Sequence, residues 1–400
     1  MRPPQAPSPT PSPRRHRPHP QPRPRPSIAV SALVARAVGM RDTAAAREKA
    51  TNGLILGILL GVVFAAVVWA FLPGFVRLLG ATGRTADLAV HFLAIVVPSQ
   101  PFLLIGMIGG AILRSHGDAR RAMMATVWGA LANAALDPVL IFALDWGLTG
   151  AAVASVVSRV VIAAMALLPI IRHYGGFDRP TLAGVSADAA PVFGIAGPAI
   201  LTQLATPVGQ AIVTRMVAGF GEAAVAGMAI AGRLTPVALG IIFAMSGAVG
   251  PIIGQNYGAG KMDRVRRAYL DALIFTGIVV ALTTVILFVL RAPIADMFHA
   301  EGLTRELLYL FCGPLCLLFF FNGAIFVANA ACNNLGAPLT STAINWGRHT
   351  LGTVPFALWL GGIWGAGGVL IGQAAGGVVF GLLAIWLGLR TIAKAQPRLK

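Results

Sequence analysis

One carboxylate lies deep inside a long apolar stretch of this sequence and is the strongest candidate for chemistry. Asp137 lies about sixteen residues into the segment 121–144, which is otherwise almost free of charge. An ionisable residue inside a membrane span costs about 2.5–3.5 kcal/mol on insertion scales, so it is a functional candidate by default. Asn133 precedes Asp137 by one helical turn, which places its amide within reach of the carboxyl. Such a pair can bind and release a proton or a sodium ion.

Pro138 offers a structural alternative for Asp137, because a proline inside a helix removes a backbone donor and kinks the chain. The carboxylate would then only accommodate the kink. The second half of the sequence allows a comparison, since Pro355 occupies the matching position of an internal repeat and Val354 precedes it. A kink of this kind therefore does not require an acid, which favours the functional interpretation of Asp137.

The elements that must carry these residues are membrane-spanning helices. The chain has 400 residues, of which 56% are hydrophobic and 11% charged, whereas soluble domains carry about 25% charged residues. About 20 apolar residues cross a hydrocarbon core as a helix, and barrel strands would instead alternate apolar and polar residues. The sequence predicts an all-α polytopic membrane protein. Ten spans are predicted at 51–72, 88–113, 121–144, 147–171, 189–218, 223–254, 268–290, 303–331, 337–360 and 363–389.

The net charge of +17 is explained by membrane topology. Six arginines lie in the first 25 residues, and most other basic residues lie at span ends. The connections on one side of the membrane contain 17 lysines and arginines and those on the other side contain 4. The positive-inside rule places both termini in the cytoplasm. We therefore expect a bilayer as the partner, in the bacterial inner membrane, and no nucleic acid.

The remaining polar residues match no enzyme or metal-site pattern. Cys312, Cys316 and Cys332 lie on or near one apolar span and are interpreted as buried thiols. None of the 7 histidines has metal-ligand spacing. We predict a protein without catalytic activity, without a metal site, and without a cofactor other than a coupling ion, H⁺ or Na⁺.

The stretch "GPIIGQNYGAGK" ends the sixth predicted span and is interpreted as a structural motif. The amides of Gln255 and Asn256 can donate to unpaired carbonyls at a helix end. Gly258 or Gly260 can adopt the left-handed conformation that ends a helix. The spacing does not fit a phosphate-binding loop, since Gly254 and Gly260 are one residue too far apart and Met262 replaces the hydroxyl.

The first 30 residues differ from the rest of the chain. They are rich in proline and arginine and contain almost nothing to bury, so they are predicted to be disordered and foreign to the fold. They lack the apolar region of a signal peptide.

An internal repeat with a shift of about 219 residues divides the remainder. Gly39 aligns with Gly258, and Gly117 aligns with Gly336. Repeated halves are typical of secondary transporters. We predict a first lobe of four helices at 31–180 and a second lobe of six helices at 181–400.

The sequence resembles the bacterial branch of the multidrug and toxic compound extrusion (MATE) family. The resemblance rests on "LRSHGDARRAMM" (113–124), "NAALDPVLIF" (133–142), "GLTGAAVASVVSR" (147–159) and "GPIIGQNYGAG" (250–260). It implies two pseudo-symmetric six-helix lobes and export of organic cations in exchange for protons or sodium. Ten of the expected twelve spans are present, so the first helix and most of the second are expected to be missing.

The resemblance also implies roles for individual residues. Asn133 and Asp137 match the family's cation-site pair, and Ser155 matches a hydroxyl on the next helix. In the stretches where some members carry acids in the second lobe, this chain has amides instead. The predicted substrate cavity is therefore lined by Gln203, Gln210, Asn322, Asn329 and Trp346.

Three functions remain open from the sequence. The first is a monomeric exporter of organic cations or drugs. The second is a flippase for lipid-linked precursors, which would have a more cationic cavity. The third is an inactive remnant of such a transporter, since a first lobe of four helices would expose packing faces to lipid.

Overall fold

The computed structural model describes residues 30–78 and 82–395, and every regular element in that part of the chain is a helix. Except for Val30, the predicted disordered tail lies outside the described residues. The helices are α1 (Val30–Gly39), α2 (Thr43–Ala70), α3 (Leu72–Leu78), α4 (Gly83–Val96), α5 (Gln100–Ser115), α6 (Ala119–Pro138), α7 (Gly147–His173), α8 (Leu182–Ala218), α9 (Glu222–Ala238), α10 (Gly240–Gly258), α11 (Met262–Met297), α12 (Gly302–Leu310), α13 (Cys316–Asn334), α14 (Pro338–Gly347) and α15 (Val354–Ala395).

Capping residues in the connections set where helices begin. Asp42 accepts a hydrogen bond of 2.9 Å from Ala45 N at the start of α2. Asp118 accepts one of 3.0 Å from Arg121 N at the start of α6. Gly117 precedes this second cap with φ +84°, in the left-handed region that glycine adopts without strain. Short polar connections therefore end one apolar helix and begin the next.

Asp118 also joins this connection to the end of α7. Its Oδ2 accepts a hydrogen bond of 2.7 Å from Arg121 Nη1 and one of 2.9 Å from Tyr174 Oη. Burial alone raises the pKa of Asp118, but the hydrogen bonds from Arg121 and Tyr174 outweigh it and leave the pKa below its ordinary value. The carboxylate is thus held ionised at the ends of three helices.

Each of the ten predicted spans overlaps one or two of these helices, but a count of ten crossings stays a prediction. In the described part of the chain, seven segments are long and apolar enough to cross a membrane. The pair α9 and α10, bent by 49°, would make eight. One of the seven, Pro338–Ala395, has 58 residues and includes two of the predicted spans. It turns at Gly365, where φ is +59°, and Gly372 then packs against Ala357 of the preceding leg.

The internal repeat is visible in the helix boundaries. α2 and α11 begin 219 residues apart, at Thr43 and Met262. The starts of α4 and α12, and of α6 and α14, have the same separation. Gly117 and Gly336 are likewise paired, with φ of +84° and +83°. The helix order of α1–α7 therefore recurs in α10–α15, and the second copy also includes α8 and α9, which precede the repeated part. The division between lobes at 180 stays a prediction.

The two copies meet at the end of the molecule formed by the connections 36–49, 114–121, 172–179 and 261–267, which we call the basic end. A methyl group on Gly39 would collide with the backbone of Gln255, and one on Gly258 with the backbone of Arg36. Gln255 Nε2 donates a hydrogen bond of 2.6 Å to Ser115 O at the end of α5. These glycines allow α1 and α10 to pack backbone to backbone.

A buried ion pair adds a second connection between the copies at the basic end. Lys49 Nζ on α2 lies 2.7 Å and 3.0 Å from the carboxylate oxygens of Asp188 on α8. Asn52 Nδ2 donates a hydrogen bond of 2.7 Å to the same carboxylate. The Asp188 side chain is only 9% exposed, so its charge depends on these partners. This cluster holds the beginning of α8 against α2.

Replacing Asp188 by asparagine is expected to destabilise the fold by about 2 kcal/mol, because hydrogen bonds to a charged group contribute about 1.5–3 kcal/mol. The matched control is Asp178→Asn, which removes the pair between Arg47 and Asp178, whose side chains are 41% and 38% exposed. Exposed pairs contribute about 0.2–1 kcal/mol. Thermal unfolding of the purified protein compares the two variants, and equal midpoints would contradict the role of Asp188.

Candidate functional site

Close packing of α6 against α7 positions Asp137. Ser158 Oγ on α7 donates a hydrogen bond of 2.9 Å to Gly129 O on α6. Closer to the connection between the helices, Gly150 lies against the backbone of Leu140. Asp137 lies between these two levels of contact. Its carboxyl therefore belongs to the helical pair rather than to the connecting loop.

Asp137 and Asn133 are in direct contact. Asn133 Nδ2 donates a hydrogen bond of 3.2 Å to Asp137 Oδ1, and both residues are half-buried. Among the described residues, no lysine, arginine or histidine forms an ion pair with Asp137. Among those residues the second carboxylate oxygen also has no hydrogen-bond donor. A carboxylate with one neutral donor and no counter-charge can take up a proton or a small cation.

The helix changes geometry directly after Asp137. Pro138 is the last residue of α6, and Val139–Ala143 form a π-helical turn. Because proline has no N–H group, the carbonyl of Ala134 loses its usual helical donor. Wide turns of this type are frequent at functional sites. Backbone oxygen near Asp137 can therefore supplement the carboxylate in holding a cation.

Ser155 lies on α7 between the same two levels of contact, but its hydroxyl is used within its own helix. Ser155 Oγ donates a hydrogen bond of 3.0 Å to Ala151 O. Within the described chain it makes no hydrogen bond to Asn133 or Asp137. The structure thus brings Asn133 and Asp137 together and leaves Ser155 as a neighbour on the adjoining helix.

A nearby arginine serves a different part of the fold. Arg159 Nη1 donates hydrogen bonds of 3.1 Å to Val96 O and 2.9 Å to Ser99 Oγ. These acceptors lie at the 3-10 turn that separates α4 from α5. The guanidinium supports a break in a helix, where free backbone groups need partners. It does not pair with Asp137.

One of the predicted polar residues of the second copy, Asn329, lies in a small amide cluster. Asn345 Nδ2 on α14 donates hydrogen bonds of 3.2 Å to Asn329 Oδ1 on α13 and 2.8 Å to Ser341 O. The Asn322 Oδ1 atom is buried and has no hydrogen-bond partner among the described residues. Asn329 is thus a packed residue, whereas Asn322 retains a free acceptor.

Of the other predicted cavity residues, two lie on α8 and the third, Trp346, contacts it. Gln203 and Gln210 are exposed on that helix, and no hydrogen bond within the described chain joins either to the amide cluster. Trp346 Nε1 donates a hydrogen bond of 2.9 Å to Leu201 O, so the indole fastens α14 to α8. Within the described chain no hydrogen bond joins any two of the five predicted residues, so their common cavity stays a prediction.

A basic pair in the second copy escaped the sequence-based prediction. Arg348 and His349 begin a π-helical turn, Arg348–Gly352, about ten residues into a span. His349 is 2% exposed, and neither of its ring nitrogens has a partner in the described part of the chain. Its ring packs against Gly209. The signal was present in the sequence, because the predicted span 337–360 contains only this charged position.

Each residue of the motif that ends α10, Gln255, Asn256, Gly258 and Gly260, has its own contact. Gln255 donates to Ser115 O of the other copy, whereas Asn256 Nδ2 donates a hydrogen bond of 2.9 Å to Ile252 O of its own helix. Gly258 is helical and permits the close approach of α1. Gly260 has φ +72° and turns the chain toward α11. These contacts support a structural role for the motif.

Comparisons with known proteins agree on one family. The sequence profile of the MatE family matches residues 26–139 and 198–359. A FAD transporter of Shewanella oneidensis is 28% identical over 370 residues, which cover 90% of this chain and 81% of that protein. The multidrug export protein MepA of Staphylococcus saprophyticus is 24% identical over 277 residues, which cover 67% of this chain and 60% of that protein.

Solved structures have the same fold. An outward-facing multidrug resistance transporter of the MATE family superposes with a TM-score of 0.85 at 24% identity, covering 92% of this chain and 83% of that one. A MATE transporter of Vibrio cholerae superposes with a TM-score of 0.87 at 23% identity, covering 93% and 85%. These likenesses establish the arrangement of helices.

Proposed function

Because this chain belongs to the multidrug and toxic compound extrusion (MATE) family of membrane transporters, we propose that it exports small organic molecules in exchange for protons or sodium ions. Asp137 and Asn133 form the coupling site. The observation that carries this assignment is the half-buried carboxylate with one amide donor and no ion-pair partner among the described residues. The chain is a transporter and not an enzyme.

The contacts at the basic end account for opening and closing of the transporter in the proposed cycle. In the positive-inside orientation this end faces the cytoplasm, together with both termini, in the bacterial inner membrane. The close approach of α1 and α10 then corresponds to a state closed toward the cytoplasm. Uptake of a cation at Asp137 removes its negative charge, and we propose that this change favours opening of the contact.

Organic cations and drugs are the first candidate substrates. Multidrug export proteins of two staphylococcal species are among the relatives. A cationic substrate and a coupling cation compete for the charge of Asp137, and such competition is the simplest basis for exchange. The amide acceptor of Asn322 adds a neutral contact in the second copy.

An anionic dinucleotide is a second candidate substrate, because a relative that matches 90% of this chain is a FAD transporter. Arg348 and His349 support it, since within the described chain they lie inside a span without an acidic partner. A phosphate group would supply the missing counter-charge. This substrate would bind at Arg348 and His349 in the second copy, whereas Asp137 belongs to the first.

Export is tested in bacteria that lack their own multidrug exporters. Cells that express the chain should lose preloaded ethidium faster than cells with an empty vector, and either a protonophore or removal of sodium should abolish the difference. Measurement of flavin in the medium of the same cells separates the two substrate classes. Normal membrane levels of the protein with no export of either compound would contradict the proposed function.

A further inference from the structure

Two adjoining cavities lie at the basic end of the second copy, between α14 and the end of α15. The lining of the first, of about 200 Å³, includes the polar and basic side chains of Thr340, Arg390 and Lys394 beside several apolar residues. The second, of about 330 Å³, is almost entirely apolar. Thr340 and Leu387 line both cavities. A continuous groove therefore passes from a basic site to an apolar one.

The first cavity has the chemistry of an anion site. Arg390 and Lys394 are exposed, lie one helical turn apart and form no ion pair with any described residue. α14 begins at Pro338 beside the cavity, and a helix start carries a partial positive charge. Thr340 Oγ1 has no hydrogen-bond partner in the described part of the chain. A phosphate group would therefore meet two cations and a hydroxyl donor.

The second cavity has the chemistry of a hydrocarbon site. Leu339 and Leu383, which line it, are 69% and 38% exposed. Their exposure on a membrane-spanning hairpin places them in contact with lipid. Trp386 is 53% exposed and lies 5.1 Å from the guanidinium of Arg390. An exposed tryptophan next to a basic residue is typical of the boundary between headgroups and acyl chains.

We propose that this groove binds an anionic phospholipid, with its phosphate at Arg390 and Lys394 and one acyl chain along Leu339 and Leu383. A free phosphate would account for the basic cavity but not for the apolar one that continues it. A neutral lipid would account for the apolar cavity but leave the cations without a counter-charge. Anionic lipids are abundant on the cytoplasmic surface, which the basic end faces in the proposed orientation.

Native mass spectrometry of the purified full-length protein tests the site, with phosphatidylglycerol and phosphatidylcholine of the same acyl chains as probes. The wild type should retain more phosphatidylglycerol. The double variant Arg390→Gln/Lys394→Gln should lose the preference by about fivefold for each side chain, the factor that corresponds to about 1 kcal/mol per basic residue near an anionic surface. The single variant Lys394→Gln, in the exposed last turn of α15, is the fallback if the double variant does not fold.

Two controls separate this site from general attraction to a basic surface. Arg266→Gln/Arg267→Gln removes the same charge from exposed residues of α11 at the same end and should leave retention unchanged. Glycerophosphoglycerol, the headgroup without acyl chains, should not displace the lipid at equal concentration. Equal losses in the two double variants, or displacement of the lipid by glycerophosphoglycerol at equal concentration, would overturn the proposal.

Discussion

Cells that express the Asp137→Asn variant are expected to lose energised ethidium export while the protein stays folded in the membrane. Asparagine has nearly the same size as aspartate and retains an acceptor for Asn133 Nδ2. It neither releases a proton nor carries a charge that binds sodium. The initial efflux rate should fall by about 5- to 150-fold, the range that corresponds to coupling free energies of about 1–3 kcal/mol.

The same substitution at a nearby acid provides the control. Asp145 is exposed in the connection between α6 and α7 with φ +53°, and asparagine tolerates this conformation well. Asp145→Asn should export ethidium at the wild-type rate. Asp137→Glu keeps the ionisable group and should keep part of the activity. If Asp137→Asn exported as fast as Asp145→Asn, the carboxylate would not be the coupling group.

Gly258→Leu is expected to cause the largest loss of stability among single substitutions at the contact between the two copies. Even a methyl group at this position would overlap the backbone of Arg36, so neither helix can relieve the collision by rotating a side chain. Overpacking of this kind costs about 1–3 kcal/mol. We expect a value near the upper limit, measured by thermal unfolding in detergent. Export should fall as well, because the state closed at the basic end becomes harder to reach.

Gly232→Leu is the matched control for this substitution. Gly232 lies on α9, the other helix of the same bent pair, and a methyl group there would meet no atom within 4 Å. Its unfolding midpoint should remain close to that of the wild type. Equal midpoints for Gly232→Leu and Gly258→Leu would show that α1 and α10 are not held together as the structure describes.

Local features of the fold were accessible from the sequence. The helical spans follow from runs of apolar residues, and the turns at Gly117 and Gly336 follow from glycine at a shift of 219 residues. The contact between Asn133 and Asp137 depends only on helical spacing of four residues. Each of these is decided by residues close together in the chain, so pattern and spacing are sufficient.

Contacts between distant helices were not accessible in the same way. Gln255 was expected to serve the end of its own helix, but it donates to Ser115 O, 140 residues away. The pair of Lys49 and Asp188 joins α2 to α8 and has no sequence signature. Such partners depend on how helices cross. The hydrogen bond of Ser155 is local, but serine in a helix can serve either its own backbone or a neighbour.

Arg348 and His349 show that an available signal can be missed. The prediction for the second copy followed the stretches 198–214 and 314–331, which contain amides but no carboxylate. The same rule that selected Asp137, an ionisable residue within a span, applies equally to this basic pair. The burial of His349, and the lack of hydrogen-bond partners for its ring among the described residues, became evident only from its packing against Gly209 of α8.

Transport by the purified protein in proteoliposomes tests the central claim most directly. Ethidium movement is recorded under an imposed proton gradient and, separately, under a sodium gradient, for the wild type and for Asp137→Asn. We expect one gradient to drive movement in the wild type and neither in the variant, while exchange of internal for external ethidium without a gradient persists in both. Gradient-driven movement in Asp137→Asn at the wild-type rate would contradict the assignment of Asp137 as the coupling residue.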